Sequence, residues 1–185
     1  MSKALSEHDF VAGRLETRKL NEPWVQKSRG HPQDEGLIKY QYPHFLLHAA
    51  GCTLGIKKTL HVAVGGLDES FLSLDDTDYC WKIQLKGTKL NFVPNAVVHY
   101  RYRTKFKDIL RQAFEYSEEN VKLYKKYLPM GMPTLTWKDG ILSWKDLIKR
   151  LRRIRNKGDL ANWIFRLGWR LGRVRGSLKH RIVTI

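Results

Sequence analysis

Two cysteines in 185 residues, Cys52 and Cys80, are too sparse for a disulfide scaffold and lack metal-ligand spacing. A chain so poor in thiols is expected in a reducing cytosol. Long apolar runs are missing as well. The longest uncharged stretch, residues 40–56, is interrupted by Gln41, Pro43, His44 and His48 and falls short of a bilayer span. The opening residues Met1-Ser2-Lys3 carry no signal-peptide pattern. Glycine-rich phosphate loops are also wanting, because Gly51-Cys52-Thr53-Leu54-Gly55 fits neither the dinucleotide fingerprint nor the P-loop. What the chain does have is 42% apolar content, enough to bury a sizeable core.

Acidic residues are scarce, and unevenly so. Residues 1–100 hold 12 Lys or Arg against 11 Asp or Glu, a net of +1, while residues 101–185 hold 22 against 7, a net of +15. Such asymmetry between halves points to an anionic partner, either a membrane surface or nucleic acid.

Periodicity divides the chain further. Short strand-like runs at 10–15, 52–56, 90–93 and 96–100 alternate with loops and with one helix expected over 76–86. A second helix is expected from 105 to about 127, with Phe106, Leu110, Ala113, Phe114, Val121, Tyr124 and Leu128 along one face, ending before Pro129. Beyond the hinge-like Pro129-Met130-Gly131-Met132-Pro133, two amphipathic helices are expected. One sets Trp144, Leu147, Ile148, Leu151 and Ile154 against Lys145, Lys149, Arg150, Arg152 and Arg153. The other sets Trp163, Ile164, Leu167, Leu171 and Val174 against Arg166, Arg170 and Arg173. Tryptophan bordering an apolar face, with basic residues opposite, is the composition of an interfacial helix. The plainer alternative is that these faces pack on the rest of the protein. The segregation of Trp from Arg, with no helix-turn-helix or RNA-binding signature, argues against nucleic acid as the partner.

The densest chemistry lies between Gly65 and Gly87. Gly65-Gly66-Leu67-Asp68-Glu69-Ser70-Phe71 forms a turn, and Leu74-Asp75-Asp76-Thr77-Asp78-Tyr79-Cys80-Trp81-Lys82 opens a helix, with Tyr79, Ile83 and Leu85 as its apolar positions. Carboxylates at a helix start can serve simply as caps for unpaired N–H groups. Asp76-Thr77-Asp78 also has the form of a metal-binding Asp-x-Asp pair, which normally ends a hydrophobic strand; here it follows a glycine turn.

These pieces, with Gly51 to Lys58 upstream and Leu90-Asn91-Phe92-Val93-Pro94-Asn95-Ala96-Val97-Val98-His99 downstream, resemble the acceptor-side half of family 2 glycosyltransferases of the GT-A fold. That family runs Gly-Gly-Phe-Asp-Glu, Glu-Asp-x-Asp, helix, Gly, then Val-Pro-x-Ala-x-x-x-His. The resemblance implies an α/β, Rossmann-like partial GT-A domain followed by amphipathic helices. The expected divisions are 1–103 for the acceptor-side half, 104–135 for a packing helix and hinge, and 136–185 for a basic extension. Asp76 falls on the general base that deprotonates the acceptor hydroxyl, with Asp75 beside it in place of the usual Glu. Gly66, Asp68 and Glu69 fall on the acceptor-binding turn, Leu67 replaces Phe, and Lys82 stands where Arg is common.

His99 falls on a position that helps hold the metal or the diphosphate. A lone His closing an apolar run is otherwise a satisfied strand-end residue. The cofactor implied for the complete enzyme is a divalent cation, Mg or Mn. The partners implied are a nucleotide-sugar donor and a glycan or lipid-linked acceptor, with the nucleotide-binding half and its Asp-x-Asp pair missing from this sequence and supplied, for instance, as a separate chain. The Gln-x-x-Arg-Trp signature of processive synthases is not found, so transfer of a single sugar is expected, with inversion, at the cytoplasmic face of a membrane. The alternative from another class is a non-catalytic binding module that docks on protein or anionic lipid.

Overall fold

The computed structural model describes residues 1–41 and 43–184. In chain order it has helix α1 (Ser2–Glu7), strand β1 (Phe10–Glu16), helix α2 (Pro23–Arg29), a 3-10 turn (Gly51–Thr53) leading into strand β2 (Leu54–Ile56), helices α3 (Lys58–Ala63) and α4 (Asp75–Leu85), strand β3 (Asn91–His99), and helices α5 (Phe106–Tyr127), α6 (Trp137–Leu151) and α7 (Lys157–His180). The chain is mixed α/β and forms two compact units, residues 1–20 with 31–101 and residues 21–30 with 102–185. Among the described residues, no helix is long and apolar enough to cross a membrane.

The first unit is built on a sheet ordered β2-β1-β3. Phe10, Val11 and Ala12 are wholly buried because β1 is central and covered on both faces. Strand β2 runs antiparallel to it, with Phe10 opposite Ile56 and Ala12 opposite Leu54. Strand β3 runs parallel, but its register jumps: Gly13 faces Val93 while Arg14 faces Val97. Pro94, Asn95 and Ala96 therefore form a bulge, a place where proline costs no ladder bond. The two runs expected at 90–93 and 96–100 are one strand folded around this bulge. Gly13 makes it possible, since a Cβ there would sit 2.3 Å from the Ala96 carbonyl oxygen.

Helix α4 is buried over Thr77, Asp78, Tyr79, Cys80, Trp81 and Ile83. Its expected apolar position Leu85 is instead 44% exposed. Trp81 anchors the helix: its Nε1 donates to the Leu46 carbonyl at 2.9 Å, and the rings of Tyr40 and Phe45 meet it edge-on at 4.7 and 5.0 Å. Such aromatic pairs add about 0.5–1.5 kcal/mol each beyond their burial.

In the second unit α5 and α7 lie side by side and run in the same direction. Gly168 meets Leu110, Gly172 meets Phe114, and Gly176 meets Glu118 and Val121. The buried face of α7 is thus Gly158, Ala161, Gly168, Gly172, Arg173 and Gly176, whereas Trp163, Ile164, Leu167 and Val174 are half-buried. Leu171 is 41% exposed. Arg173, expected among the solvated cations, is buried: its Nε donates to the Thr184 carbonyl and its Nη1 to Asn120 Oδ1, both at 2.7 Å. Backbone contact through glycines wins here because it packs two helices closer than any leucine face allows.

Candidate active site

Strand β1 ends at Glu16 opposite His99, the last residue of β3, and the Gly51–Thr53 turn precedes the strand residue that pairs with Ala12. The turn and His99 therefore sit toward the same, carboxyl end of β1. In open α/β sheets that is where ligands bind.

Asp76 is brought to this end by the turn. Its Oδ2 accepts the Gly51 N–H at 2.8 Å, and its Oδ1 accepts the Thr77 backbone N–H at 2.7 Å. A Cβ on residue 51 would approach the Asp76 Cβ at 3.3 Å, so glycine permits the contact. Helix α4 starts from Leu74 at φ 63° and ψ 15°, a left-handed conformation that costs a bulky L-residue about 1–3 kcal/mol. None of the three aspartates acts as the N-cap side chain. Burial raises the Asp76 carboxyl above its ordinary value and the Asp75 charge adds to this, while the N–H bonds from Gly51 and Thr77 oppose it without prevailing. Asp75 itself is half-buried beside it.

The turn that holds Gly51 is in turn held by Gln33, which sequence reasoning missed. This fully buried amide donates to the Gly13 carbonyl and to Thr53 Oγ1, each at 2.7 Å, and accepts the Ala50 N–H at 2.8 Å. No local pattern marks it; only the pairing of distant segments does.

His99 is exposed, and its Nδ1 lies 2.8 Å from Glu16 Oε2. That hydrogen bond is the main cause holding the Glu16 carboxyl below its ordinary range. Glu16 was likewise not singled out by the sequence. Gly66 and its neighbour Gly65 have φ of 66° and 75°, which favours glycine at both. The Gly66 carbonyl accepts the Lys82 ammonium, tying the turn to α4. Asp68 closes its own turn, its Oδ1 accepting the Ser70 N–H at 3.1 Å and hydroxyl at 2.6 Å, while Glu69 is exposed.

Beside the carboxyl end of β1 opens a polar hollow of about 710 Å³, lined in part by Arg18, His31, Asp34, Glu35, Lys39 and Gln41. Asp34 is buried, which alone would raise its carboxyl, yet Arg18 and Arg14 bond both its oxygens and hold it below its ordinary value.

Neither thiol suits nucleophilic chemistry: burial pushes Cys80 up to about 12 and also raises Cys52. Among the described residues no group of three or more His, Cys, Asp or Glu is arranged to hold a metal ion. Glu16 and His99 are two potential donors, short of what a divalent cation needs. The described residues alone do not fit a resident cation.

Comparison with known proteins finds a likeness over part of the chain. Over 82 residues the chain is 32% identical to the pre-mycofactocin glycosyltransferase of Mycobacterium tuberculosis, in two strains. The matched segment covers 44% of this chain and 17% of the relative, so the chain spans far less than two thirds of that protein. No family model matches the chain. No solved structure matches it significantly. The likeness supports a relationship to glycosyltransferases.

Proposed function

We propose that this chain supplies the acceptor-activating part of an inverting, family 2-like glycosyltransferase that moves one sugar from a nucleotide donor to a glycan or lipid-linked acceptor. The observation that carries the reading is the Asp76 carboxylate, half-buried and fixed by two backbone N–H groups at the carboxyl end of the sheet. A base must be within reach of the hydroxyl it deprotonates, with a pKa raised toward the working pH. Burial and Asp75 move Asp76 in that direction. In the proposed reaction Asp76 takes the acceptor proton as the hydroxyl oxygen attacks the anomeric carbon and the nucleoside diphosphate departs from the opposite face. Gly66, Asp68 and Glu69 shape the acceptor turn, and the polar hollow beside β1 offers donors and acceptors for sugar hydroxyls. His99, oriented by Glu16 through Nδ1, keeps Nε2 for the departing diphosphate.

The donor half and any divalent cation are assigned to protein outside these 185 residues, and the basic extension to an anionic membrane surface. The test is nucleoside diphosphate release from a panel of nucleotide sugars. The isolated chain is expected to give none, because a base without a positioned donor lacks the proximity that drives the step. Together with the donor half it is expected to give product of inverted configuration. Turnover by the isolated chain, or product with retained configuration, contradicts the proposal. The competing reading, a non-catalytic docking module, draws on the small share of the glycosyltransferase that the match covers. It predicts no release even with the donor half present.

A further inference from the structure

The second unit leaves one helix face uncovered and one cavity crowded with cations. On α6, Ile141, Ile148 and Leu151 share a stripe at helical spacings of seven and three, and they are 46%, 65% and 53% exposed. Lys145, Lys149 and Arg152 flank that stripe. At the junction of α6 and α7 lies a cavity of about 280 Å³ bordered by Lys27, Arg150, Arg153 and Arg166, with Asp159 the one carboxylate among its lining residues. Lys27 pairs with Asp159 at 2.9 Å and Arg150 with Asp146 at 2.6 Å. Arg166 bonds the neutral Asn162 at 2.9 Å, and the Arg153 side chain makes no ion pair among the described residues. Burial, and after it the charge of Arg150, lowers the Arg166 guanidinium from its ordinary pKa, while the charge of Asp146 opposes the shift.

We propose that this cavity binds the phosphate of an anionic phospholipid headgroup while the Ile141–Ile148–Leu151 stripe of α6 rests in the acyl boundary of the same leaflet. The inference rests on the membrane-surface reading of the extension and assigns that role to α6 and the junction. An apolar face sunk just below the headgroups places the basic flank at phosphate level. Guanidinium groups match phosphate through paired N–H donors, so Arg150, Arg153 and Arg166 recognise the group and do more than add to a diffuse field. An uncovered apolar stripe beside the cations suits a leaflet and not a nucleic-acid backbone.

The test is co-sedimentation of the full chain with phosphatidylcholine vesicles, with and without phosphatidylglycerol. Binding is expected only to the anionic vesicles. The double variant Arg150→Gln/Arg153→Gln should lose at least about tenfold more affinity than Lys105→Gln/Lys107→Gln, which removes the same charge at the start of α5. Ile148→Asn/Leu151→Asn should also lose binding, and soluble glycerol phosphate at constant ionic strength should compete. Circular dichroism checks folding, and Arg153→Gln alone, at an exposed side chain, keeps the test available if the double variant unfolds. Equal losses from the two charge pairs would overturn the phosphate site while leaving the membrane reading intact. Unaltered binding by the Ile148/Leu151 variant would overturn insertion of α6. Binding of glycerol phosphate without any vesicle binding would reassign the cavity to a free phosphate. No preference for anionic vesicles would sink the membrane reading itself.

Discussion

Asp76 and His48 show burial acting on two side chains with opposite outcomes. For Asp76, burial and the neighbouring Asp75 favour the protonated carboxyl, so the proposed base is lost on acidification at a pH above that of an ordinary aspartate. The acid limb of the pH–rate profile of the donor-complemented enzyme is therefore expected above the ordinary value of 3.8, and Asp75→Asn should move it downward. A limb unmoved in Asp75→Asn would remove that coupling. His48 is desolvated beside the rings of Tyr40 and Trp81, and its pKa falls from 6.5 to about 4. Its folded pKa is depressed, so its contribution to stability is present above the unfolded pKa and is lost as pH falls through that window. Denaturant unfolding should show the first unit weaker by about 2 kcal/mol at pH 5 than at pH 7, with much of that difference absent in His48→Phe.

At the scale of elements, the sharpest consequence concerns α7. A Cβ on residue 172 would lie 2.2 Å from the Phe114 carbonyl oxygen, a backbone atom that cannot rotate away. Gly172→Ala gains up to about 1 kcal/mol of helix propensity and is still expected to cost the second unit about 1–3 kcal/mol, the scale of overpacking. Neutral or higher stability on denaturant unfolding would mean that α5 and α7 do not meet at this seam. The periodicity of α4, α5, α6 and α7 was legible in the sequence, and so was strand β1. The faces were not. The Trp and Leu side of α7 was expected to be interfacial, with packing as the alternative, and the contact with α5 runs instead through Gly168, Gly172 and Gly176, which have no side chain to count. Helix α2, starting at Pro23, was too short to show periodicity over its seven residues. The aspartates and His99 were legible because the motif is local. Gln33 and Glu16, which position the Gly51 turn and the His99 ring, act across 17 to 83 residues of sequence separation and leave no local pattern.

For the whole molecule, charge and chemistry divide in one pattern: residues 1–100 are nearly neutral and hold the candidate site, while residues 101–185 carry a net +15. In the proposed reading the first part activates an acceptor and the second keeps the protein on an anionic leaflet where a lipid-linked acceptor resides. That second role weakens with ionic strength as the Debye length shortens. Catalytic chemistry and location are then separable, and Arg150→Gln/Arg153→Gln should leave turnover on a soluble acceptor unchanged while reducing it on a vesicle-borne one. The central claim is narrower, that Asp76 takes the acceptor proton. Its most direct test is single-turnover sugar transfer by the donor-complemented protein carrying Asp76→Asn, beside Asp75→Asn, with donor binding measured in parallel. The account predicts a loss of about a hundredfold or more for Asp76→Asn, with donor affinity unchanged and a much smaller loss for Asp75→Asn. Near-normal transfer by Asp76→Asn would contradict it and move the base to Asp75.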